Sequence, residues 1–141
     1  MSFATQSSAQ TYARVGIETS VATASPHRLI LMLFDGAVLA VAKAENAMTE
    51  GRIADKGQAI SRAIDIIANG LRASLNFDAG DELADRLAAL YDNLLARLLH
   101  ANLHNDLAAL AEVTRLLTEI KTAWEEIADD PAAASRNKAA A

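Results

Sequence analysis

At 141 residues the chain is the length of one domain, and a chain of that size buries roughly two-thirds of the surface its unfolded form exposes. With no cysteine, it can form neither a disulfide framework nor a thiolate metal site, which fits a reducing compartment. A net charge of -5 and an isoelectric point of about 5.1 argue against a nucleic-acid partner, because phosphate neutralisation needs a basic face and the cations here are scattered among acids.

Residues 1–10 are small and polar and lack the charged start and apolar centre of a secretory signal, so a cytoplasmic location is expected. In 12–18, Tyr12, Val15 and Ile17 are interleaved with polar residues, which reads as an arm able to lie on an apolar groove. The longest apolar runs, 29–34 and 37–42, fall far short of the ~20 residues needed to cross a bilayer, so no stable membrane insertion is expected.

Ser25 followed by Pro26 marks a helix start: the serine oxygen can accept a first-turn N–H, and proline at the next position loses nothing by lacking one. Beyond Pro26 no proline occurs until Pro131, alanine and leucine dominate, and β-branched alternation is absent. Gly51 and Gly80 fall in polar breaks where glycine can end a helix, and Asn105 or Asp106 can cap the helix after a third break. The breaks predict four helices near 26–50, 53–76, 81–103 and 106–128, each ~35 Å long at 1.5 Å per residue. Equal helices on short loops predict an all-α fold, an antiparallel up-down four-helix bundle with an N-terminal arm or short helix. The domain divisions expected are an arm over 1–25, the bundle over 26–128 and a disordered alanine-rich tail over 129–141.

At 100° per residue, core stripes run through Leu29, Leu33, Ala37, Val41, Ala44 and Met48 in the first helix, and through Ile53, Ile60, Ile64, Ile67, Leu71 and Leu75 in the second. The third stripe is Leu83, Leu87, Leu90, Leu94 and Leu98, and the fourth is Leu107, Leu110, Val113, Leu117, Ile120, Trp124 and Ile127. Other apolar residues exceed these stripes. Leu31, Met32 and Leu39 turn toward the side of Arg28, Asp35 and Lys43, where no core is expected, and Tyr91, Leu95 and Leu99 widen the third stripe to about half the circumference. On the second helix Ala59, Ala63, Gly70 and Ala73 form a strip of small residues with Ile66 pointing off the core side. That strip serves either close packing within the bundle or a groove for a foreign helix.

Catalytic and metal motifs are sparse. No Glu-x-x-His pair occurs, His100 and His104 lack the glutamate of a zinc-protease motif, and no glycine-rich turn offers a phosphate cradle. Ser25 and Ser74 have no suggested histidine and carboxylate partners, and Asp35 and Asp65 read as solvated flanks or as arginine partners. No enzyme, cofactor or metal is expected. Histidine phosphotransfer or another signalling role would suit a helical bundle, but His27, His100 and His104 all lie near helix ends.

The run Ala-Ser-Pro-His-Arg-Leu-Ile-Leu-Met-Leu-Phe-Asp-Gly-Ala over 24–37 resembles the signature of the FliS family, the flagellin-specific export chaperones of bacterial flagella. Lys56-Gly57, Ala63-Ile64-Asp65-Ile66-Ile67, Gly70-Leu71-Arg72-Ala73-Ser74-Leu75, Leu90-Tyr91 and the stretch 97–106 are similar to it in the same order and spacing. The resemblance implies a cytoplasmic chaperone that binds the C-terminal segment of flagellin, blocks its premature polymerisation and hands it to a component of the flagellar export gate. It also implies that Tyr12, Val15 and Ile17 shield the bundle when no client is bound. Carried onto this sequence, it places client contacts at Ile66, Gly70 and Ala73 on the second helix and at Tyr91, Leu95, Leu99 and Leu103 on the third. Asn102 and Asn105 either bond client backbone or cap, capping being expected of Asn105. A homodimer burying the surplus leucines against a second copy is the remaining alternative.

Overall fold

The computed structural model of the chain describes residues 25–79 and 82–127. The arm residues Tyr12, Val15 and Ile17, the break at Gly80 and the 129–141 tail lie outside the described residues. Helix α1 (Pro26–Thr49) starts as the sequence predicts: Ser25 Oγ accepts the Arg28 N–H at 3.1 Å and Pro26 occupies the first turn. The chain turns at Gly51, whose φ of 73° is one that a side chain disfavours.

Helix α2 (Ile53–Asp65) is not α-helical to its end. Its backbone widens into a π turn over Ile66–Leu71 and then tightens into a 3₁₀ turn over Arg72–Ser74. A second 3₁₀ turn, Phe77–Ala79, follows before α3 (Leu83–His104). Helix α3 stops where Asn105 adopts the left-handed conformation at φ 50°. Helix α4 (Leu107–Ile127) starts two residues later, with the Ala109 N–H donating to Asp106 Oδ1 at 3.1 Å. That bond, more than the approach of His100, holds the Asp106 carboxyl below its ordinary pKa.

Cross-helix contacts fix the antiparallel order. At one end Trp124 Nε1 of α4 donates to the His27 carbonyl of α1 at 3.2 Å, and the two rings stack 5.1 Å apart. Further along, Lys121 pairs with Asp35 at 2.7 Å and Thr114 Oγ1 donates to Glu45 at 3.3 Å. Between α2 and α3, Lys56 Nζ donates to the Asn102 carbonyl at 3.0 Å and to Asn105 Oδ1 at 2.7 Å, while Arg72 pairs with Asp92 at 2.7 Å. Arg97 and Glu112 join α3 to α4 at 2.9 Å. The result is an antiparallel four-helix bundle, α1 packing most extensively on α2 and then on α4, with no strand among the described residues.

Buried residues from all four helices form one core centred on Phe34, Val41, Ile60, Ile67, Leu94, Leu98, Leu110 and Leu117. It corrects the sequence reading in three places. Leu31 and Met32 are enclosed rather than left outside, because α1 is flanked by α2 on one side and α4 on the other and buries every residue from 29 to 34. In the first half of α3 the stripe is shifted by one residue: Ala84, Ala88 and Tyr91 are buried, the last against Phe34 with ring centroids 6.4 Å apart, while Leu90 is exposed; Leu94 and Leu98 are buried as expected. Ile53 and Leu107, placed in core stripes by periodicity, begin their helices at the bundle's edge and stay exposed. Asp35 has a lysine rather than an arginine as its partner, and Asp65 accepts from Asn69 Nδ2 at 2.6 Å.

Candidate functional site

A groove of about 550 Å³ opens along the seam between α1 and α2. Its floor is apolar: Met32, Leu33, Leu39 and Ala40 come from α1, and Ala59 and Ile66 from α2. The groove exists because the seam carries small residues on both sides. At Gly36 an added Cβ would make ordinary contact with Ile66 Cδ1 at 3.5 Å, and the neighbouring alanines at 40 and 59 leave the space above them unfilled. Leu39 projects at the edge, 56% exposed. A groove of this volume with an apolar floor and a charged rim suits the apolar face of a helix or short peptide.

The expected contact residues do not converge on one spot. Ile66 lies in the groove, only 2% exposed, and belongs to the core as well as to the floor. Gly70 is buried within the π turn, where its carbonyl accepts from Ser74 Oγ at 2.6 Å, and Ala73 is half-buried just beyond. Tyr91 is inside the bundle, and burial pushes its phenol pKa up. Leu95, Leu99 and Leu103 follow one another at four-residue spacing on α3, half-buried, 60% and 78% exposed respectively. Asn102 is half-buried with its carbonyl taken by Lys56. Asn105 does cap, by ending α3 in the left-handed conformation, and its side chain also holds Lys56.

Two apolar surfaces therefore flank α2, the groove on its α1 side and the leucine strip on α3. Met32 and Leu39, which the sequence reading named as surplus apolar residues, line the groove; Gly36 and Ala40 are what it missed, and the available signal was a pair of small residues four apart on the same side of the helix as Met32 and Leu39. Near the α3–α4 turn the His100 and His104 rings lie 4.6 Å apart and His100 Nε2 contacts Asp106 Oδ2 at 3.0 Å. No group of three or more His, Asp or Glu side chains among the described residues is placed to hold a metal ion. Nor is any described helix long and apolar enough to cross a membrane.

The family model described as "Flagellar protein FliS" matches residues 8–131. The flagellar secretion chaperone FliS of Salmonella typhimurium is 48% identical over 123 residues, covering 87% of this chain and 91% of that protein. Its Escherichia coli counterpart is 45% identical over 117 residues, with 83% and 86% covered, and the Bacillus subtilis one 34% identical over 109, with 77% and 80% covered. A match that spans every described helix, together with relatives this similar along most of their length, means that the chain belongs to the FliS family.

Proposed function

We propose that this protein works in the cytoplasm as a non-enzymatic export chaperone that takes up the C-terminal, otherwise disordered segment of flagellin. The client docks as a helix in the α1–α2 groove and folds as it docks, so that the segment needed for polymerisation is covered until it is handed to the flagellar export gate. One observation supports this reading above the others: an open apolar groove, about 550 Å³, along the seam between α1 and α2. The strip of Leu95, Leu99 and Leu103 provides a second contact for the same client across α2, with Asn102 at its margin. Gly70, Ala73 and the buried Tyr91 act through the packing of the bundle and not as lining of the groove. Tyr12, Val15 and Ile17 cover the apolar surface of the empty chaperone.

Calorimetry with a peptide of the cognate flagellin C-terminus is expected to give heat, together with a gain in helical circular dichroism. Leu39→Asp and Leu99→Asp should each weaken binding while leaving the melting of the free bundle unchanged, since both side chains are already more than half exposed. Ile66→Asp cannot serve, because a carboxylate at that enclosed position would unfold the bundle. Absence of both heat and induced helix would overturn the proposal.

A further inference from the structure

The groove's charges are unevenly compensated. Asp35, Lys43, Arg52, Asp55 and Arg62 line it. Asp35 is held by Lys121 at 2.7 Å, and Arg52 lies between Glu50 and Asp55, 2.8 Å from each. Lys43 and Arg62 are exposed and take part in no ion pair among the described residues. Both anions of the groove are thus ion-paired, Asp55 sharing its arginine with Glu50, and two of its cations are not, in a chain whose net charge is -5.

Their placement is set by the register of the hairpin. Gly36 faces Ile66, so in the antiparallel pair Lys43 lies level with Ala59, and Arg62 level with Ala40. One cation therefore stands on each helix, offset by about three residues or ~4.5 Å along the groove. Long basic side chains lay their stems along apolar surface and keep the charged head at the water's edge. A helix whose leucines fill the floor would bring the residues flanking its apolar stripe to those two heads.

We infer that Lys43 and Arg62 select for an amphipathic helix that carries carboxylates on both flanks of its apolar stripe, within about one turn of each other. This rests on the docking reading above and adds a charge requirement to it. The apolar floor between the two cations favours such a peptide over a polyanion, which needs continuous basic surface. A basic flank is rejected by the same two charges.

The test uses the full chain and a peptide of the flagellin C-terminus, native and with its Asp and Glu replaced by Asn and Gln. Rim charges act through water, so each cation is expected to change the affinity about threefold and the two together about tenfold. Neutralising the peptide's acids, or making Lys43→Gln/Arg62→Gln, should each raise Kd about tenfold at low salt, and combining them should add little more. The native pair should also lose affinity between about 0.05 and 0.5 M salt while the doubly neutral pair does not. Equal affinity for both peptides, or a Kd indifferent to the double variant, overturns the charge requirement and leaves docking standing. No binding by the native peptide overturns both. Unchanged circular dichroism and melting of the double variant separate these results from misfolding.

Discussion

Replacing Lys56 by methionine tests how the bundle holds its second and third helices together. Lys56 is only 6% exposed, and its ammonium bonds the Asn102 carbonyl and Asn105 Oδ1 at the C-terminal end of α3. The lysine sits in the first turn of its own helix, where a cation opposes the helix dipole, and is compensated by the negative end of the neighbouring one. Methionine keeps the packing of the stem and loses the charge. Asn105 is exposed and can turn its amide to water, so the stranded group is the half-buried Asn102 carbonyl, at about 1–3 kcal/mol. Losing the cation at the end of α3 adds ~0.5 kcal/mol, and relief of α2 returns a similar amount. The net expectation is ~2 kcal/mol, seen as a Tm roughly 6–10 °C lower and a lower urea midpoint at unchanged slope. Asn105→Gly preserves the left-handed turn while removing the acceptor, so a double-mutant cycle should show coupling of ~1 kcal/mol between the two sites. A loss below ~0.5 kcal/mol for Lys56→Met, or no coupling, would refute the assignment of this contact as a cross-helix cap.

Three further perturbations probe the fold and its phase. Leu98→Ala should cost ~2–5 kcal/mol by urea titration, whereas Leu99→Ala one residue away should cost less than ~0.5, because the first is fully enclosed and the second 60% exposed. Gly51→Ala should destabilise by ~1 kcal/mol because its φ is 73°, while Gly57→Ala, within α2 and with nothing within 4 Å of the added carbon, should stabilise by ~0.5–1 kcal/mol. Burial raises the folded-state pKa of Tyr91, so the stability it contributes is fully present below the phenol's unfolded value of ~10 and is lost as the pH rises above that. In a Tyr12→Phe variant, alkaline titration at 295 nm should show phenolate only as the helix signal disappears; phenolate forming in a native bundle would contradict the burial.

The helix count, the boundaries and most caps were legible because each rests on a local signal: Ser25 with Pro26, Gly51, and Asp106 before an apolar run. The phase of the first half of α3 was not. With Leu90, Tyr91, Leu94, Leu95, Leu98 and Leu99 covering half the circumference, periodicity allows several centres for the buried arc, and the position of Phe34 on a helix far away in sequence selects the one that encloses Tyr91. The π turn was equally invisible, since the pattern of Ile66, Ile67, Gly70 and Leu71 suits either helix type and the extra backbone width is fixed by packing against α1 and α3. Of the candidate site, Met32, Leu39, Ile66, Leu95 and Leu99 could be named from surplus apolarity, and Leu103 only through the family resemblance. The groove could not be, because a void between two helices depends on both at once.

That void has a thermodynamic implication. A leucine in place of Ala59 would add three carbons over the open part of the seam, and at ~0.8 kcal/mol per buried CH₂ the free bundle could gain ~2 kcal/mol. At Gly36 an added Cβ would meet Ile66 Cδ1 at 3.5 Å, an ordinary van der Waals contact. The two small positions of the seam therefore differ: at Gly36 a methyl group would just touch the facing helix, and Ala59 is small although something larger would fit. A bundle shaped only for its own stability would fill that second position, so the alanine there is intelligible if the apolar contact is completed by another chain, with stability and docking opposed at the same atoms.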